Sequence, residues 1–256
     1  MVARWPGTDV PHTIDQTGVN VKPAVQLAAT GLLLVIGLSA CSSSQNGEPL
    51  AATSAGESAG SSTRDFEPSG SNPDPTDQIN GVLKVYYPAA EHVTERQKVK
   101  YTYTPPLGGR HDSVWATCTG VVYPVAIRTE NAVHSLEHGA VWITYNPDDL
   151  DSDDIAELEQ RVDGLNYLLM SPYPGLDQPI SLQSWGHQLK VTDARDLRID
   201  QFITATRQNT QSGVYDENPS ATGYPEPGAT CATVPGRFDP ADPPLFDPGP
   251  GTVPEG

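Results

Sequence analysis

Residues 140–170 read AVWITYNPDDLDSDDIAELEQRVDGLNYLLM, and their pattern predicts a helix between two strands. Its first six residues are rich in β-branched and aromatic side chains and lie between a glycine and an Asn-Pro pair, which predicts a strand. Residues 167–170 predict a second strand. The chain between the two strands is long enough for a helical crossover, so we expect them to be parallel neighbours in one sheet.

The segment between these strands predicts a helix. Residues 151–154 are acidic or hydroxylated, so they can cap the first turn and suit the positive end of the helix dipole. Ile155, Leu158 and Val162 recur at helical spacing, and Gly164 suits the position after the last turn.

The rest of the apolar pattern predicts further short elements. Strands are expected at residues 82–87, 99–103, 180–185 and 188–191, and a last helix at residues 197–207. The order predicts an α+β fold, a single small domain with a mixed β-sheet and two main helices. A thioredoxin-like βαβ-ββα topology is the alternative, although the chain has no C-x-x-C motif for thioredoxin-type redox chemistry.

Composition excludes some classes of function. The chain has 15 basic and 32 acidic residues, a formal net charge of −17, so we expect no nucleic-acid partner. The 23 glycines and 25 prolines indicate that much of the chain lies outside a packed core.

Residues 1–40 predict a lipoprotein signal peptide. The apolar run at residues 24–37 is shorter than the ~20 residues of a membrane span and suits the hydrophobic region of a secretory signal. It leads into Leu-Ser-Ala-Cys, which looks like a bacterial lipobox. We therefore expect Cys41 to be lipidated with diacylglycerol and palmitate, and the protein to be anchored at the extracytoplasmic face of the cell membrane.

The residues before the apolar run fit a signal peptide poorly, because signal peptides start with a short basic region. Translation from Val19 or Val21 is the hypothesis that removes this conflict. Residues 41–80 are expected to hold the lipidated cysteine and a disordered tether, because they lack apolar periodicity. The domain is expected at residues 81–236, followed by a disordered Pro/Gly-rich tail at residues 237–256.

With Cys41 lipidated, Cys118 and Cys231 are the two cysteines left. An exported chain matures under oxidising conditions, so a disulfide between them is expected to pin the C-terminal extension to the domain. Two free thiols and a metal-binding pair are the alternatives.

Histidines are the candidate metal ligands. His134 and His138 would share one face of a helical turn, as two imidazole ligands of zinc or copper must. His111, His92 or Glu137 could complete the set. The alternative is that these histidines are structural, capping turns and packing beside aromatic rings.

Residues 134–138 also match H-x-x-E-H, a zinc-peptidase signature in which the glutamate activates water. That signature needs a sustained helix, whereas Gly139 and a predicted strand follow at once. Glu137 as a catalytic base is therefore an alternative and not the preferred interpretation.

Several motifs in this order resemble a family of bacterial envelope proteins known as domain of unknown function 3105. They are His92-Val93, Pro105-Pro106-x-Gly108-Gly109-x-His111, Trp115 with Cys118 and residues 120–123, Val133-His134-Ser135-Leu136-Glu137-His138-Gly139, residues 171–175, Ser184-Trp185-Gly186, and Pro225-Glu226-Pro227-Gly228-Ala229-x-Cys231. The resemblance covers residues 92–231 and implies exported, often membrane-anchored proteins. It also implies that His92, His111, His134 and His138, rather than His187, form the functional set.

The preferred interpretation is a non-enzymatic, membrane-anchored lipoprotein that binds zinc or copper through this histidine cluster. A metal-dependent hydrolase with Glu137 as base is one alternative. A structural or partner-binding envelope module is the other, expected if the histidines are dispersed or buried against tryptophans.

Overall fold

A computed structural model of the chain describes residues 62–88 and 90–256. These residues form three helices, α1 (Thr129–Glu137), α2 (Ser152–Glu159) and α3 (Arg198–Thr206), and the strands β1 (Leu83–Lys84), β2 (His92–Val93), β3 (Val99–Lys100), β4 (His111–Asp112), β5 (Thr119–Val122), β6 (Val141–Tyr145), β7 (Leu168–Pro172), β8 (Ile180–Ser184), β9 (His187–Val191) and β10 (Val253–Pro254). Two 3-10 turns, Thr63–Phe66 and Pro75–Gln78, precede them.

The main sheet has six strands in the order β1-β9-β8-β6-β7-β5. β7 is parallel to both β6 and β5, whereas β8 is antiparallel to β6, β9 to β8 and β1 to β9. The predicted α+β fold with a mixed sheet is therefore confirmed. The segment from β6 through α2, β7, β8 and β9 to α3 follows the βαβ-ββα order of the alternative topology.

Alternation along β6 divides the core into two layers. Val141 and Ile143 point to the face that is covered by α2 and α3. Trp142 points to the other face, where it packs with Leu136 of α1. The sheet is thus buried on both sides, and α1 lies on the side opposite the other two helices.

α1 is a helix that the sequence pattern does not predict. All nine of its residues are buried, although six of them are polar: Thr129, Glu130, Asn131, His134, Ser135 and Glu137. Only three apolar residues are left to mark one face of the helix, so the periodic signal is too short to identify it.

Residues 62–80, expected to belong to a disordered tether, pack against the domain. Phe66 and Ile79 are buried in the same layer as α3. Asp74 is buried and accepts a hydrogen bond from Lys84 Nζ at 2.7 Å, with His187 Nε2 at 3.3 Å. These single buried side chains hold the segment in place. Its sequence has no apolar periodicity, and that lack is the reason why disorder was expected. The predicted signal peptide, Cys41 and the first part of the tether lie outside the described residues.

Residues 237–256, expected to be a disordered tail, also contact the domain. Phe238 is buried, Leu245 forms a bridge with Ile127, and β10 pairs in parallel with β3. Most of these contacts use backbone groups, which leave no signature in the sequence.

Cys118 and Cys231 form a disulfide across 113 residues of sequence, as expected. The backbone N–H of Cys118 also donates to the carbonyl of Cys231 at 3.0 Å, so the extension is held at this point by two links. Within residues 62–88 and 90–256, none of the helices has the length and apolar character needed to span a membrane.

Candidate metal centre

The C-terminal end of α1 carries three polar side chains of the site. His134 and Glu137 are three residues apart and therefore share one face of the helix. His138 follows as the C-cap, and Gly139, with a φ of +85°, turns the chain directly into β6. The helix and the turn at Gly139 thus hold these three side chains close together.

A short parallel pair of strands brings two more histidines to the same place. β2 and β4 pair so that His92 lies opposite His111. The His92 ring stacks on that of His134, with centroids 5.0 Å apart, and the His111 and His134 rings are 4.8 Å apart. Residues from three separate segments thus meet in one cluster.

Glu137 is the centre of this cluster. Its Oε2 atom lies 2.8 Å from His111 Nε2, 3.6 Å from His134 Nε2 and 3.8 Å from His92 Nε2. A tetrahedral ion with metal–nitrogen bonds of ~2.0–2.1 Å separates its ligand atoms by about 3.4 Å. These four side chains therefore match the composition and approximate spacing of a tetrahedral site with three nitrogens and one oxygen.

Backbone carbonyls fix the orientation of the buried imidazoles. His111 Nδ1 lies 2.8 Å from the Gly109 carbonyl and His134 Nδ1 lies 2.6 Å from the Asp112 carbonyl. A carbonyl oxygen only accepts, so both Nδ1 atoms must donate, and in the neutral ring the lone pair is then on Nε2. This is the outer-shell arrangement that orients histidine ligands in metal sites.

Burial keeps part of the cluster neutral. Burial, together with the neighbouring His111 and His138 rings, lowers the pKa of His134 to about 2 against the opposing effect of the Asp112 carbonyl. Burial also lowers the pKa of His138. A neutral imidazole is the form that binds a metal, so both side chains are ready to serve as ligands at neutral pH.

The contact between His111 and Glu137 requires a proton or a cation. With Nδ1 donating to Gly109, a neutral His111 ring presents a lone pair to a carboxylate oxygen 2.8 Å away. Two acceptors at this distance are compatible with one proton between them, carried by the ring or by the carboxyl group, or with a cation bound to both.

A second group of donor atoms adjoins the first and shares two of its members. It consists of His134, Glu137, His138 and Glu226, and within each group the donor atoms lie within 4.8 Å of one another. His138 Nε2 is 3.3 Å from Glu226 Oε2, and His138 Nδ1 is 2.8 Å from the Thr230 carbonyl.

Two tryptophans enclose the cluster. The Trp115 ring centroid lies 5.5 Å from that of His134 and 4.7 Å from that of His138, and the Trp185 and His111 ring centroids are 5.9 Å apart with the rings nearly perpendicular. The cluster reaches solvent at its two ends, where the side chains of His92 and Glu226 are 46% and 49% exposed.

The predicted site residues are thus brought together, with one rearrangement. His92, His111 and His134 share a group with Glu137, which the sequence offers only as a completing ligand. His138 belongs to the adjacent group, whose Glu226 was missed as a ligand, although it lies in one of the quoted motifs. His187 is in neither group and pairs with Asp74 instead.

Residues 92–233, more than half of the chain, match a family model whose description is "Protein of unknown function (DUF3105)". All six side chains of the two groups fall within the matched residues. No curated protein and no solved structure matches the chain.

Proposed function

We propose that this chain, which belongs to the DUF3105 family, binds one divalent transition-metal ion, zinc or copper, through His92, His111, His134 and Glu137. The observation that carries the proposal is the convergence of three imidazole Nε2 atoms on one oxygen of Glu137, at 2.8–3.8 Å. Zinc and copper both favour imidazole ligands, and one carboxylate offsets part of the charge of the ion.

Further support comes from the surroundings of the ligands. The carbonyls of Gly109 and Asp112 fix the tautomers of His111 and His134, so little reorganisation is needed when an ion binds. When bound, the ion would supply a positive charge to the buried Glu137 carboxylate. No reaction is needed to explain this arrangement, so we propose a non-enzymatic role.

Elemental analysis of the full chain, purified without a histidine tag, tests this function. We expect one equivalent of zinc or copper, and no titratable high-affinity site in the variant His134→Ala. His187→Asn is the matched control, since His187 is also a buried histidine with Nδ1 near a backbone carbonyl, and it should keep the metal. Failure of the wild-type protein to bind either ion would leave the histidines as parts of a structural or partner-binding module.

We further propose that the protein is an exported lipoprotein, anchored through Cys41 at the extracytoplasmic face of the cell membrane. The apolar run at residues 24–37 and the lipobox that ends in Cys41 support this location. The Cys118–Cys231 disulfide supports it independently, because such bonds persist mainly in oxidising compartments. Metabolic labelling with a palmitate analogue should mark the wild-type chain and leave Cys41→Ala unlabelled and in the soluble fraction; equal labelling would refute the anchor.

A metal-dependent hydrolase is the second candidate, favoured by a cavity of about 930 Å³ beside His92. In that case the three imidazoles would hold the ion, and Glu137 would take a proton from water. Glu137→Gln separates the two functions. As a hydrolase, this variant would keep its zinc and lose activity against ester or peptide substrates, whereas under the binding function it would lose affinity for the metal.

A further inference from the structure

We propose that the metal ion occupies the two donor groups alternately, so that the protein passes the ion from its His92 end to its Glu226 end. This inference rests on the proposed metal-binding function and adds a transfer step to it. The first group is His92, His111, His134 and Glu137, and the second is His134, Glu137, His138 and Glu226.

Two ions cannot both have a complete set of ligands, because the two groups share His134. Its Nδ1 is engaged by the Asp112 carbonyl at 2.6 Å, so only Nε2 remains for a metal. One imidazole lone pair binds one ion. The chain therefore offers two overlapping positions for a single ion.

Transfer between the positions requires only a short movement. The His134 and His138 rings are 4.6 Å apart, and the rings of His134 and His111 are 4.8 Å apart. His134 and Glu137 can stay bound while His92 and His111 are exchanged for His138 and Glu226. The oxidation state of the ion does not change, since the step is a ligand exchange.

The two positions differ in affinity, so the ion moves toward Glu226 only when an acceptor in solution removes it from the second position. The first offers three imidazoles and one carboxylate, and the second offers two of each. Imidazole binds copper and zinc more strongly than carboxylate does, so the first position is the one that retains the ion. Glu226, 49% exposed, lies where an acceptor in solution can reach the ion in the second position.

A strap from Glu226 to Cys231 supports the second position. The backbone N–H of Glu226 donates to the Glu137 carbonyl at 3.2 Å, and the Thr230 carbonyl accepts from His138 Nδ1. The disulfide fixes the end of the strap next to Thr230. The backbone hydrogen bond, the Thr230 contact and the disulfide therefore hold Glu226 in place without the help of its own side chain.

His92 and Glu226 are exposed at the two ends of the cluster, so each can be replaced without removing a buried side chain. In the wild-type background, Glu226→Ala should change the affinity for Cu²⁺ only slightly, because the ion is in the first position. In the His92→Ala background the ion should shift to the second position, so that adding Glu226→Ala lowers the affinity by at least about tenfold. Glu217→Ala, which removes an exposed acid elsewhere on the C-terminal extension, should have no effect in either background.

Release of the ion gives a second readout. Stopped-flow transfer of Cu²⁺ to a strong chelator should be at least about tenfold slower in Glu226→Ala than in the wild type, at nearly equal affinity. An effect of Glu226→Ala on affinity that is the same in both backgrounds, or two equivalents of Cu²⁺ in the wild type, would overturn the alternation. The proposed function would survive either result and fails only if the wild-type protein binds no ion.

Discussion

Gly139 is the residue on which the end of α1 depends. Its φ of +85° is costly for any residue with a Cβ, and a Cβ here would lie 2.7 Å from Cζ of the buried Tyr224 ring. We expect Gly139→Ala to lower the free energy of unfolding by about 3 kcal/mol, through backbone strain and overpacking together. Denaturation by urea measures this loss.

Gly164 provides the matched control for that substitution. It also has a positive φ, +69°, but a Cβ there would meet nothing within 4 Å. Gly164→Ala should therefore cost only the backbone strain, about 1 kcal/mol. Equal losses in the two variants would show that the contact with Tyr224 is unimportant.

The sequence predicts most of the site but not its full set of ligands. The resemblance to the family, and not the composition, selects four of the six histidines. Glu226 could not be selected, since it is one of 32 acidic residues and nothing in its local pattern separates it from the solvated ones. What distinguishes it is the bond from its backbone N–H to the Glu137 carbonyl, which depends on the fold.

Among the elements, the strands of the central sheet were the easiest to predict. β6 lies within the predicted residues 140–145, and β8 lies within 180–185. α1 was missed because it is buried all round and because its N-cap residue, Arg128, makes no side-chain capping hydrogen bond. Periodicity and caps are the two local signals of a helix; α1 lacks the cap, and only three of its nine residues are apolar.

The disulfide joins Cys118, the residue before β5, to the strap that carries Glu226. Because it closes a loop of 113 residues, the variant Cys118→Ser/Cys231→Ser should lose about 4–5 kcal/mol of unfolding free energy in the chain-entropy description. We expect the loss in thermal or chemical denaturation at neutral pH. A loss below about 1 kcal/mol would mean that the remaining contacts of the extension hold it without the bond.

Asp74 fixes the segment before β1 to the main sheet. Burial would by itself raise the pKa of Asp74, but hydrogen bonds from His187, Lys84 and Thr76, with the charge of His187, hold this pKa well below its ordinary value. A carboxyl group with a depressed pKa in the folded state stabilises the fold above its unfolded pKa of about 3.9 and loses that contribution as the pH falls.

We therefore expect Asp74→Asn to lower the free energy of unfolding by about 3 kcal/mol at pH 7. The difference from the wild type should shrink as the pH falls below about 4. Asp77→Asn is the control, because Asp77 pairs with the same lysine but is exposed, and its loss should cost under about 1 kcal/mol. A difference that is independent of pH would contradict the role given to the Asp74 charge.

For the molecule as a whole, the sequence predicts too small a domain. The segments at residues 62–80 and 237–256 have no periodicity, yet they are held by isolated buried side chains and by backbone pairs with distant residues. Such contacts are set by tertiary structure, and composition alone makes these segments look disordered. The domain thus extends at both ends beyond the expected residues 81–236.

The C-terminal segment is also linked to the candidate metal centre. The Glu255 carbonyl accepts from the backbone N–H of Arg110 at 2.8 Å, and the Glu255 carboxylate accepts from Tyr87 Oη and from the backbone N–H of Thr102, each at 3.0 Å. Arg110 lies between Gly109, whose carbonyl orients His111, and His111 itself. The segment therefore buttresses the loop that positions one of the proposed ligands.

A chain that ends at residue 249 should consequently keep its main sheet and bind the metal about tenfold more weakly, as expected when an outer-shell support is lost. Titration with Zn²⁺ measures the affinity, and far-ultraviolet circular dichroism checks the sheet. Glu255→Ala separates the side chain from the strand, since it removes the two carboxylate bonds while the β10–β3 pairing remains, and should give a smaller loss. If the truncated chain bound Zn²⁺ as tightly as the full chain, the position of His111 would depend on its own loop and on α1 alone.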